Sequence, residues 1–344
     1  MVGVCTLILI GALAFWGTAD PASAATNYQL WIGGTQVTSD NCNSNSTWSF
    51  DNSTKTLTLK SYSYSGKGYT IKEDGDAIAT AAIYAKMNLK ISLEGSSSVT
   101  STRIDDCDTA GIWVDGNLTI SGSGSLKATG GANTDCESYG ILVYDGNLTQ
   151  ESGQLTCTGG KAYNSYGIYG LEDEDISLLT LNGGTLTAKG GALSTDAEED
   201  CTSTGIYVTE TYMNGGTLNA TGGDVTTGAS YGIDTWVEMT GGSFNATGGK
   251  APLESYGWES QCGTISSGSM TFAGGTSDSS YGVHSFSDDP SEVVLVIVGD
   301  ATVTATGNTS GTNGMFSFTE SDFDDEGDEG EDDSVYQLIN GFFN

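Results

Sequence analysis

Through the middle of the chain, apolar residues alternate with polar ones in short runs, the period of a strand with one buried face. "GIWV" (111–114), "NLTI" (117–120) and "SLKATGG" (125–131) are three such runs in succession, separated by Gly, Asn and Asp. The same three-part phrase returns as "YGILV" with "NLTQ" and "QLTCTGG", and later as "STGIYV" with "GGTLNATGG" and as "SYGID" with "GGSFNATGG". Aligned on the glycine before each apolar anchor, the copies start at Gly111, Gly140, Gly167, Gly205, Gly232, Gly257, Gly282 and Gly314, with spacings of 29, 27, 38, 27, 25, 25 and 32. An earlier copy without the glycine starts at Ile83, because "IYAKMNLKIS" overlays "IWVDGNLTIS" at a shift of 29. Nine anchors therefore cover residues 76–318.

Three short strands cannot bury a face alone, but stacked copies can. The alternation predicts one internal column of Ile112, Ile141, Ile168, Ile206 and Ile233, and a second of Leu126, Leu155, Leu186, Leu218 and Phe244. Ala128, Cys157, Ala188, Ala220, Ala246 and Ala305 supply a small inward residue on the third strand. The glycine pairs suit corners that need positive φ or close backbone approach. The predicted fold is all-β: a parallel β-helix of about eight or nine three-strand coils. A β-propeller, which needs four strands and some 40 residues per blade, ranks second. The 38-residue interval holds an insertion, as a loop on a solenoid should.

The flanks differ from the body. Residues 25–75, with "YQLWIGGTQV", "TWSF" and "KTLTLK", read as strands of an N-terminal cap over the first coil's open edge. "TLILIGALAFWG" followed by "ADPASA" reads as a secretory signal cut after Ala24, though no basic residue precedes it. Residues 319–344 form a tail whose segment 320–333 holds ten acidic side chains in fourteen. The formal charge of −33, from 44 acidic and 11 basic residues, disfavours nucleic acid and anionic membrane surfaces as partners. The chain reads as secreted or held at a cell surface, without membrane insertion. Six cysteines follow the leader, an even count that suits an oxidising compartment. Cys107 and Cys136 lie 29 residues apart, as do the glycines after them. They are expected to stack in adjacent coils and to bond or touch, with Cys157 a buried thiol in the alanine slot.

The opening "YQLWIGGTQVTSDN", then "FDNSTKTLTL" and the "YGI" and "GGTLTA" coils, resembles secreted bacterial proteins, many clostridial, that carry a β-helical carbohydrate-binding domain. That resemblance implies a polysaccharide-lyase-like fold, binding of plant cell-wall polymers such as cellulose or pectin, and a place for calcium. It assigns no calcium ligand to a residue of this chain.

Alternation turns the residue after each anchor outward: Tyr84, Trp113, Leu142, Tyr169 and Tyr207, then Asp234, Glu259 and His284. With coils about 4.8 Å apart, the first five make a stripe on the order of 20 Å long. Ring faces of this kind suit the C–H faces of sugars, which makes Tyr84, Trp113, Tyr169 and Tyr207 the candidate carbohydrate contacts. The alternatives are that a loop covers the stripe, or that the rings only stabilise the ladder. A second column, Tyr139, Tyr166, Tyr231, Tyr256 and Tyr281, sits at a corner and is expected to pack. Acidic residues before the anchors, Asp105, Asp106, Asp108, Asp135 and Glu137 among them, offer oxygens to Ca²⁺, although a solvated acidic edge explains them as well and no known calcium-loop spacing occurs. A catalytic pair is not singled out among 44 acids. A lyase would by resemblance need a basic residue, and Arg103 is the sole arginine. Outward threonines of the third strand, such as Thr129, Thr156 and Thr158, follow from the β-propensity of Thr, though a flat threonine face also suits ice. The expected function is non-catalytic polysaccharide binding. A β-helical lyase or glycoside hydrolase is the enzymatic alternative, and a structural, adhesive or ice-binding solenoid the third.

Overall fold

The computed structural model describes residues 24–102, 107–171, 177–260, 263–285, 295–297, 301–307 and 317–318. The expected leader up to residue 23, the acidic tail from residue 319, and Arg103, Asp105 and Asp106 lie outside the described residues.

The chain is a parallel β-helix. One coil runs through strands Asp108–Asp115, Leu118–Gly122 and Ser125–Thr129, and the next through Ser138–Tyr144, Leu148–Gln150 and Gln154–Thr158. Each strand pairs in parallel with its counterpart one coil on, as Ile112 with Ile141, Leu118 with Leu148 and Leu126 with Leu155. The third face is a nine-stranded sheet, its first strand being Ser63–Gly66 beside the cap and its last Thr302–Thr306. Among the described residues, coils from the repeat beginning at Asp76 onward therefore number eight. In two coils the first and second strands run on without a break, as Thr202–Met213 and Ala229–Met239.

The predicted columns hold in register. Ile83, Ile112, Ile141, Ile168, Ile206 and Ile233 are successive partners, each no more than 1% exposed. Leu126, Leu155, Leu186, Leu218 and Phe244 form the facing ladder. The columns change near the end: Trp258 follows Ile233, and Phe272 takes the alanine slot between Ala246 and Ala305. Trp258 and Phe272 stack at 5.2 Å, and the bare backbone of Gly263 makes room, since a Cβ there would lie 2.6 Å from the indole.

The glycines serve two needs. Gly184, Gly216, Gly242 and Gly268 have φ of +82° to +103°, the left-handed region that other residues avoid. The anchor glycines have no such φ. A Cβ on Gly140 would instead sit 2.4 Å from the Thr158 nitrogen and 2.5 Å from the Gly167 carbonyl oxygen. The first strand here is pressed against the third, and only hydrogen fits.

The serine of each "SYG" closes the corner between coils. Ser165 Oγ donates to the Gly160 carbonyl at 2.7 Å and accepts from the Gly191 N–H at 2.7 Å. Ser138, Ser203, Ser230 and Ser255 repeat that pattern, all fully buried. A buried hydroxyl thereby satisfies two otherwise orphaned backbone groups at each of these five steps.

The cap blocks the open edge as expected. Strand Asp76–Ala85 pairs antiparallel with Asn27–Ile32 over Leu30, Trp31 and Ile32, and with Tyr69–Glu73 over the rest. Antiparallel strands there consume the edge that another chain would otherwise extend.

Two cysteine expectations separate. The register that pairs Thr109 with Ser138 sets Cys107 and Cys136 at one step of adjacent coils, but their sulfurs are not bonded to each other. The Cys107 thiol is turned back toward the preceding coil and donates to the Ala77 carbonyl at 3.2 Å. Cys157 stands in the alanine slot with no exposure, and burial pushes its thiol well above the usual range. It is expected to resist alkylation in the native protein and to react only on unfolding. Peptide mapping that finds Cys157 in a disulfide overturns this.

Candidate functional site

Each first strand bends at its anchor glycine. Gly140 and Ile141 both face the interior, so Tyr139 and Leu142 on either side both face outward. Stacking turns these positions into two outer columns that touch across the bend. Tyr166 meets Tyr169 at 4.6 Å, and Tyr139 meets Tyr169 at 5.3 Å. These rings, with Tyr84, Leu142 and the alanines Ala81 and Ala110, form an apolar cluster outside the main core.

The N-terminal part of that wall is covered. The cap places Trp31 and Tyr69 against Tyr84, with centroids 5.3 Å away in both cases, and Tyr84 is 5% exposed. Its hydroxyl donates to Asp115 Oδ2 at 2.6 Å, while Trp113 Nε1 donates to Asp115 Oδ1 at 2.8 Å. Tyr84 is therefore a packing residue, a correction to its place among the sugar contacts; the cap that covers it belongs to the strands before the repeat. Trp113 and Tyr169 are half-buried, and Leu142 is buried. Among the described residues Tyr207 is the only aromatic side chain of the exposed large hydrophobic residues, at 40%, and its ring stacks on Tyr169 at 5.1 Å and 13°. The second column packs as expected: Tyr139, Tyr166 and Tyr256 are buried, and Tyr231 stacks on Tyr256 at 5.4 Å.

Beyond Tyr207 the outward column turns acidic. Tyr207, Asp234, Glu259 and His284 are successive register partners. His284 stacks on Tyr256 at 4.3 Å, and its Nδ1 lies 3.8 Å from Glu259 Oε1. Glu259 Oε2 is enclosed and has no hydrogen-bond partner. Glu254 accepts from the Tyr231 hydroxyl at 2.8 Å. Burial, and then the Glu259 carboxylate beside it, push Asp234 up to about 7. The sequence placed these side chains in one column, but nothing in their spacing told that two carboxylates would be desolvated together.

A second acidic group lies at the other end. Asp108 Oδ1 accepts the Glu137 N–H at 3.0 Å, and burial raises Asp108 to about 6. Glu137 accepts from the Tyr139 hydroxyl and from Asn164 Nδ2. Of the calcium candidates, Asp105 and Asp106 lie outside the described residues, and Asp135 accepts from the Thr134 hydroxyl at 2.8 Å. Among the described residues no three His, Cys, Asp or Glu side chains converge as a metal shell would require. Asp108 and Glu137 direct oxygens to protein donors, so the described residues do not fit a calcium site.

The β-helix repeat family matches residues 118–141 and 179–193. Both segments carry second and third strands of a coil, the first reaching into the next anchor. The match supports the repeat and the β-helical fold. Neither the curated proteins nor the solved structures offer a significant match. Among the described residues no helix is long and apolar enough to cross a membrane.

Proposed function

We propose that the chain is a secreted or cell-surface polysaccharide-binding protein that performs no chemistry, with its contact face on the outer columns from Trp113 to His284. The observation that carries this reading is the stacked Tyr169–Tyr207 pair, whose outer ring is exposed on a fold that has no structural need to expose it. A flat ring with a polar edge fits the C–H face of a sugar, and a solenoid lets a linear polymer run along successive coils.

Tyr207→Ala and Tyr169→Ala are each expected to weaken retention on insoluble polysaccharide by about tenfold, as truncation of an aromatic anchor does. The melting temperature should change little in Tyr207→Ala. Tyr84→Ala should do the reverse, lowering stability while the folded fraction binds as the parent does. Thr156→Ala on the third face should leave binding alone. If both face variants are retained as well as the parent, the rings serve only to pack.

One observation favours a second reading. Asp234, raised to about 7, stands beside Glu259, and glycoside hydrolysis uses two carboxylates of unlike protonation. Release of reducing ends from neutral glycans would establish it, and Glu259→Gln would have to abolish that release. A lyase is less well served, since among the described residues His284 is the sole basic side chain in either column.

A further inference from the structure

The acidic end of the outer face carries negative charge that its neighbours do not balance. Asp234 and Glu259 are register partners on adjacent strands, where like charges repel. The groups facing them are Tyr207, Tyr231, Glu254, Tyr256, Tyr281 and His284. Among these groups the imidazole is the one basic side chain, and its Nδ1 lies 3.8 Å from Glu259 Oε1. No described residue donates a hydrogen bond to the Asp234 carboxylate, and Glu259 Oε2 is shut from solvent without a partner. The same column is filled by Tyr or Leu three coils earlier, so the ladder itself does not require acids here. A desolvated, unpaired carboxylate is expensive to keep, and a positively charged ligand removes that expense.

We propose that this end of the face binds the protonated amino groups of a polysaccharide built from amino sugars; the proposal rests on the polysaccharide reading above and names its ligand class. The ammonium sits at the exposed edge of Asp234 and Glu259, while the ring that bears it lies on Tyr207. A chain of net charge −33 draws such a polymer in and repels uronate polymers.

The chemistry sets a pH dependence. Since Asp234 is pushed up to about 7, it is largely protonated in mild acid and offers little to a cation there. Binding is therefore greatest near neutrality, because the sugar ammonium loses its proton over about the same range in which Asp234 gains its charge.

The test is calorimetry of the full chain close to neutral pH at moderate salt, with a soluble glucosamine oligomer and its fully N-acetylated counterpart as probes. The amino oligomer is expected to bind about tenfold tighter or more. Asp234→Asn and Glu259→Gln should each remove that difference, so that the two oligomers bind alike. Glu73→Gln, an exposed cap residue, makes the same change in net charge and controls for general attraction of polycations. Equal affinity for the two oligomers, or site variants that behave like Glu73→Gln, overturns the proposal while polysaccharide binding stands. If neither oligomer nor a neutral glucan binds, the polysaccharide reading falls too, and this proposal with it.

Discussion

Trp258→Ala is expected to lower stability by about 3–5 kcal/mol, the range for truncating a large buried aromatic. The indole is 1% exposed and is walled by Phe272, with the hydrogen-only surface of Gly263 against its edge. Its Nε1 donates to the Thr235 carbonyl at 2.8 Å, so truncation also leaves a buried acceptor without its donor. Neighbouring coils fill the same space with Ile233 against Ala246. Trp258→Ile with Phe272→Ala should therefore recover less than the full loss, since Gly263 still leaves space made for an indole. The coupling between the two positions should nonetheless be large, because the side chains touch. A solenoid transmits stability only between neighbours, so the loss should appear first in the coils after residue 254. Hydrogen exchange resolved by segment would show this. Uniform loss along all coils, or a shift in urea midpoint within error, would count against the packing argument.

The body of the fold was legible because each coil repeats its neighbour's demands. Ile112, Ile141 and Ile168 recur with their glycines and are stacked by the ladder. Likewise the need for glycine at Gly140 could be read, although its cause is pressure from the third strand and not backbone twist. The serine of "SYG" was equally repetitive and went unread, because its hydroxyl bonds corners that only the stacked form brings together. What repetition could not tell was cover. Tyr84 and Tyr207 occupy equivalent steps of one column, yet one lies under Trp31 and Tyr69 and the other is 40% exposed. The difference comes from antiparallel strands that precede the repeat.

The second large effect concerns Asp234 and follows from linkage. Its ordinary value of 3.8 applies to the unfolded chain, and in the fold it is raised to about 7 by burial and by Glu259. Between those values the folded state holds more protons than the unfolded one, so folding stability falls as pH rises from about 4 to about 7 and levels off above. Asp234→Asn removes a charge that burial opposes and keeps the shape. It is expected to be more stable than the parent by roughly 2–4 kcal/mol at pH about 8, with the gain shrinking toward zero near pH 4. Glu259→Gln should capture part of the same gain, since the neighbouring carboxylate is the second cause of the shift. The substitution that strengthens the fold is also the one expected to erase the preference for amino sugars, the usual opposition between a stable scaffold and a polar binding site. Parallel stability–pH curves for parent and Asp234→Asn would show that the carboxylate is ordinarily ionised in the fold, and the argument from its burial would then fail.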